Sequence, residues 1–254
     1  MRFVKFVPDN RLKPFIKEIV ISENGKVDSY KVFPSTNLVM GFQYKGRLCS
    51  VLGKSETKLE SSGITGISDS FKLFKNSSDT GTILVYFTEV GLAAFTSCPA
   101  NELFNQSVSL ENIFNKREIN YIEEKLTFSK TDLQRVQIIE CFLLSQLRDV
   151  QIDKLIIEAV KLIYNSKGNI KIKELNEKLF ISQSPFEKRF RRVVGTTPKK
   201  FTSIVRFQSV LSDLKNIKSL TDICYENNFF DQAHFIKTFK QYTGDTPEHF
   251  KRFL

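Results

Sequence analysis

Two lysines, Lys188 and Lys237, each stand inside the pattern Phe-x-Lys-x-Phe, and the two copies lie 49 residues apart. On a helix the i, i+4 spacing packs Phe186 with Phe190, and Phe235 with Phe239, on one side. The intervening lysine is left turned away from that side. Arg191 and Lys240 fall one offset apart as well, both basic. Cations displayed on the outer face of a helix whose inner face is anchored by aromatic rings suit the gripping of a polyanion. The chemistry is binding rather than bond-making.

The rest of the sequence offers little to an enzyme. No P-loop, G-x-S-x-G or H-E-x-x-H sequence occurs. The only histidines are His234 and His249, so the first half has none with which to hold a catalytic metal. Cys49, Cys98, Cys141 and Cys224 are scattered and read as reduced structural thiols. No catalysis, cofactor or metal is expected.

Charge is unevenly placed. The 254 residues carry a formal net charge of +10; residues 153–254 hold 19 Lys+Arg against 11 Asp+Glu, and the first 152 hold 19 against 17. The positive field therefore belongs to the C-terminal part, where the repeat lies.

The repeat extends beyond the lysines. An offset of 49 superimposes Gln183 on Gln232, Gly195 on Gly244, Thr197 on Thr246, Pro198 on Pro247 and Phe201 on Phe250, besides Phe186, Lys188 and Phe190 on their partners. Eight identities at one offset point to duplication. Each copy ends its helix at a glycine and restarts it at a proline. Upstream lies a shorter helix, with Ile172, Leu175 and Leu179 as the apolar face in the first copy and Leu220, Ile223 and Cys224 in the second.

The second copy turns at Asn227-Asn228, where Asn228 accepts a positive φ, and Asp231 caps the helix Gln232–Tyr242. The first turns at Phe180-Ile181, with Ser182 or Ser184 as cap. Two helices joined by a tight turn make a helix-turn-helix, whose second helix enters the major groove. Pro198–Lys215 shows helical spacing and would link the two units over roughly 25 Å. Asp153–Asn165 would complete the first unit's core.

These residues resemble the AraC/XylS family of transcription regulators. The family pattern is met at Leu175-Asn176, Ser182, Phe186–Arg191, Gly195, Pro198, Ile223-Cys224, Asn228-Phe229, Phe235–Lys240, Gly244 and Pro247, across about Asp153–Phe253. The resemblance implies base-facing residues Gln183, Ser184, Glu187 and Lys188 in the first unit and Gln232, Ala233, His234 and Lys237 in the second. Arg191, Arg192 and Lys240, farther along each helix, would grip phosphates. Asn176 and Cys224 replace a small Ala, Asn228 replaces Gly, and the two lysines stand where Arg is usual, without its bidentate fork.

Double-stranded DNA is the implied partner, with RNA polymerase, a small-molecule effector and a second copy of the chain as further ones. A protein-interaction module that keeps the fold without specific DNA binding is the alternative.

The first half reads as short strands broken by turns: Phe3–Val7, Ile16–Ser22, Ser29–Phe33, Asn37–Tyr44, Arg47–Leu52, Gly63–Ser68, Phe71–Phe74 and Thr82–Phe87. Its segments Phe33–Leu38 and Tyr86–Leu92 look like the cupin-like sensor domains of some family members. Helices follow at Glu118–Phe128 and Asp132–Leu147. The apolar stripe of the second either packs on the strands or also pairs with a second subunit.

The expected fold is α+β: a β-barrel domain with helices over residues 1–150, then an all-α domain of two helix-turn-helix units over 153–254. No apolar run approaches a membrane span, and Met1–Ile21 is too charged for a signal peptide, so a cytoplasmic protein is expected.

Overall fold

A computed structural model describes residues 1–214, 219–229 and 231–252. The strands are β1 (Arg2–Phe6), β2 (Ile16–Asn24), β3 (Asp28–Val32), β4 (Val39–Lys45), β5 (Leu48–Leu52), β6 (Ser55–Lys58), β7 (Ser62–Thr65), β8 (Lys72–Asn76), β9 (Thr80–Phe87) and β10 (Ser107–Ser109). They form two antiparallel sheets, of order β1-β2-β9-β4-β7-β10 and β3-β8-β5-β6. The architecture is the expected α+β one, with the strands in two sheets not closed into a single ring. β6 and β10, short and polar, carried no alternating pattern to announce them.

Alternation along the strands builds the first core. Ile19 and Ile21 of β2, Met40, Phe42 and Tyr44 of β4, and Ile83, Val85 and Phe87 of β9 are all buried. Two helices cover them: α1 (Lys116–Phe128), through Ile119, Ile122 and Leu126, and α2 (Asp132–Gln146), through Val136, Ile139, Phe142 and Leu143. Thr131 and Gln134 start α2 with a reciprocal capping box. The stripe read on α2 thus packs on the sheet of its own chain, whereas Leu133 is 64% exposed.

The C-terminal part holds α3 (Lys154–Asn165), α4 (Ile172–Lys178), α5 (Gln183–Val194), α6 (Pro198–Asp213), α7 (Leu220–Glu226), α8 (Gln232–Thr243) and α9 (Pro247–Lys251). Lys215, the expected end of the linking helix, and Phe253 and Leu254 of the expected domain lie outside the described residues. A second core joins Ile156, Ile163, Leu175, Phe186, Phe190, Phe201, Ile204, Phe207, Ile223, Phe235 and Phe239. The same cluster takes in Ile67, with Phe33, Val90 and Phe104 packed against it, all from the first half. The two halves therefore share buried apolar surface rather than hanging from a free linker.

Candidate nucleic-acid interface

Each short helix meets its longer partner through a reversal at a left-handed residue. In the first unit α4 ends at Lys178 with Leu179 as its C-cap, Phe180 takes φ 51°, and α5 begins at Gln183 behind the N-cap Ser182. In the second α7 ends at Glu226 with Asn227 as its C-cap, Asn228 takes φ 51°, and α8 begins at Gln232 behind Asp231.

The second turn is longer by one residue, so the short helices superimpose at an offset of 48 while the long ones keep 49. The caps differ too. The Asp231 carboxylate accepts the His234 amide at 2.7 Å, whereas Ser182 makes no side-chain cap bond. Asn227 is buried and donates to Asp213 at 3.0 Å and to the Ile223 carbonyl at 2.9 Å, locking the second turn onto α6.

Phe186 and Phe190 are fully buried with ring centroids 5.6 Å apart; Phe235 and Phe239 are buried in the same way at 5.9 Å. The opposite faces carry the cations. Gln183, Ser184, Lys188, Arg191 and Arg192 are exposed on α5, and Glu187 is half-buried beside them. On α8, Gln232, Ala233, His234, Lys237 and Lys240 are all exposed. Among the described residues, Lys188, Arg191, Arg192, Lys237 and Lys240 make no ion pair, so their charge is available to an incoming anion.

Gln232 is held by a 3.0 Å bond from its Nε2 to Thr221 of α7, and the ring of His234 lies 5.8 Å from that of Phe229. Arg192 also lines a crevice of about 290 Å³ between α5, Val150–Asp153 and Ala93-Ala94.

Three charged residues matter to the site in ways the sequence pattern did not indicate. Arg189, part of the basic run of α5, is turned to Asp153, the N-cap of α3; its Nη2 donates at 2.8 Å and its Nε donates to the second oxygen. It therefore fastens α5 rather than adding to the free positive face. Arg206 of α6 forks onto the Gly168 carbonyl at 3.0 and 2.8 Å, reaches the Asn228 carbonyl at 3.5 Å, and lies over the Phe229 ring. It touches the α3–α4 connection of the first unit and the turn of the second. Burial holds its guanidinium below the usual arginine range. Lys31, of β3, reaches the end of α8. A lone cation on a helix or edge strand has no sequence signature that separates it from a solvated one.

With the geometry in place, the likeness to known proteins is specific for the C-terminal part. A helix-turn-helix domain model matches residues 175–252. This segment is an AraC-type helix-turn-helix domain. Residues 4–109 match a domain of unknown function, DUF6597.

Over 84 residues the chain is 30% identical to an uncharacterized HTH-type transcriptional regulator of Staphylococcus aureus strain MSSA476, covering 33% of this chain and 11% of that protein. It is 27% identical over 157 residues to the Msm operon regulatory protein of Streptococcus mutans, 60% of this chain and 56% of that one. The chain thus spans about a tenth of the length of the staphylococcal relatives and just over half of the streptococcal one. In fold it is similar to ToxT from Vibrio cholerae, with a TM-score of 0.50 and 12% identity over 93% of this chain and 98% of that one. The AraC-type domain therefore sits in a two-part chain whose overall fold is that of a solved structure.

Proposed function

We propose that the chain is a sequence-specific DNA-binding transcription regulator that acts in the cytoplasm and affects RNA polymerase at the promoters it binds. The observation that carries this reading is the pair of AraC-type units, each with uncompensated cations on the outer face of an aromatic-anchored helix. Gln183, Ser184, Glu187 and Lys188 on α5, and Gln232, Ala233, His234 and Lys237 on α8, read base edges. Lys and Gln donate to guanine and adenine edges, and the Ala233 methyl meets a thymine methyl. Arg191, Arg192 and Lys240 hold phosphates.

Residues 1–150 form a regulatory domain packed against the reading domain of residues 153–254, and a small-molecule effector would act on that reading domain through it. The mobility of labelled genomic fragments, measured at near-physiological salt with competitor DNA, tests the central claim. A subset of fragments is expected to shift first; uniform binding would replace the regulator with a protein-interaction module that keeps the fold.

A second copy of the chain is the proposed partner of α1 and α2. They leave an open groove of about 910 Å³ lined by Tyr121, Ile138 and Cys141 among others, and Phe128 beside it is 75% exposed. The inner stripe of α2 is already buried, so the pairing surface is this outer one. Sedimentation at micromolar concentration is expected to give a dimer, and a monomer with and without DNA would refute it.

A further inference from the structure

The duplicated Gly-x-Thr-Pro reads in the sequence as a helix stop and restart. In the structure it has a second role in both copies: it is where each unit rests on the first half of the chain. Gly195 closes α5 at φ 100°, and a Cβ placed there would lie 3.1 Å from the Ala100 carbonyl oxygen. Gly244 closes α8 at φ 78°, and a Cβ there would lie 2.8 Å from the Phe71 ring and 3.2 Å from Lys31 Nζ. Each glycine serves the left-handed backbone and lies in close approach to the first half of the chain, tightest at Gly244.

The contacts around these two points form a platform. Lys31 Nζ donates to the Thr243 carbonyl at 3.0 Å, pairs with Asp245 at 2.7 Å and lies 5.0 Å from the Phe71 ring centroid. It supplies a cation to the C-terminal end of α8, where the helix carbonyls point. Gln241 donates to the Asp69 carbonyl at 2.9 Å, and Phe33 packs edge-on to Phe250 at 5.6 Å. Lys200, at the start of the linking helix α6, pairs with Asp69 at 3.4 Å, so a single loop touches the second unit and the helix that joins it to the first.

From this geometry we infer that the N-terminal half is a ruler for the two reading helices. Lys31 and Phe71 are positioning residues that set the spacing of the two base elements the chain recognises. The inference rests on the DNA-binding reading. α6, its Arg206 tie and the core around them join the units along one side only, which leaves hinge freedom about that helix. A second support at the far end of each reading helix removes it. One base pair of added spacing rotates a DNA element by about 34° about the duplex axis. A clamped pair of helices cannot follow that rotation, and a released pair can.

The test selects bound fragments from a random-sequence duplex library with the full chain, as wild type, as Lys31→Ala and as Lys31→Ala/Phe71→Ala. Both sites lie outside the AraC-type domain, and Lys31 is a surface residue of an edge strand, so the single variant stands if the double one is destabilised. The wild type is expected to enrich two elements at one spacing. The variants are expected to enrich the same elements at several spacings and to bind the original spacing about fivefold to tenfold more weakly, as the effective concentration of the second unit falls. Variants that keep the single wild-type spacing would overturn the ruler while leaving DNA reading intact. A wild type that enriches no sequence would overturn both.

Discussion

Replacing Arg206 tests whether the linking helix ties the two units together. Its guanidinium makes two bonds to one carbonyl, at 3.0 and 2.8 Å, and a longer one to the turn of the second unit. A charge-assisted hydrogen bond contributes about 1.5–3 kcal/mol net, and an abandoned buried carbonyl costs about 1–3 kcal/mol. Both strong bonds share one acceptor and the site is partly solvated, so the lower ends of these ranges apply. Arg206→Ala is expected to destabilise the chain by about 3 kcal/mol.

For a cooperative unit of around a hundred residues that would lower Tm by about 12 °C or more, and for the whole chain melting together by roughly 6–12 °C. Urea denaturation of wild type, Arg206→Ala, Arg206→Met and Arg206→Lys separates the causes. Met restores the stem's packing without the charge, and Lys restores the charge without the fork. Arg206→Lys is expected to recover less than half of the loss. A value for Arg206→Ala within about 0.5 kcal/mol of wild type, or full recovery by lysine, would refute the forked tie, since ordinary surface substitutions fall in that range.

Other expectations follow from single residues. Phe180 is 97% exposed at φ 51°, a conformation that costs a non-glycine residue about 1–2 kcal/mol, so Phe180→Asn is expected to raise stability by about 1 kcal/mol in a denaturant titration. No change, or a loss, would refute the strain assigned to this left-handed position.

Asn176 Oδ1 is buried with no hydrogen-bond partner among the described residues. Asn176→Ala is expected to stabilise by about 1 kcal/mol in the same titration, through relief of that atom and better helix propensity; destabilisation would show that the amide is satisfied by water. Salt titrations of DNA affinity are expected to give a shallower slope for Arg191→Ala, by about 0.9 for one lost phosphate, while Lys237→Ala relaxes base preference at one position. Equal slopes would remove the division between grip and reading.

How far the sequence carries differs between the two halves. The second turn was legible to the residue: Asn228 takes the positive φ and Asp231 caps α8, because both depend on neighbours a few bonds away. The faces of α5 and α8 were legible for the same reason, since burial of Phe186, Phe190, Phe235 and Phe239 follows from helical period. The ten-strand arrangement was only partly so. β6 and β10 are polar and short: β6 pairs with its neighbour β5 across a tight hairpin but offers no alternating apolar face, and the pairing of β10 with β7 is set by a partner distant in sequence.

Local covalent order and period therefore determined the helices, most of the strands, the duplication and the kind of partner that a basic helix face suits. What only the tertiary structure decided is which cations remain free. Arg189, Arg206 and Lys31 look no different in sequence from Lys188 or Lys237, yet each is held by an acceptor that long-range packing brings near: Asp153, the Gly168 carbonyl, and Asp245 with the Thr243 carbonyl. A charged side chain's role is fixed by what lies within a few ångströms of its head group. For residues 36 to 214 positions apart, that distance is a property of the fold rather than of the chain.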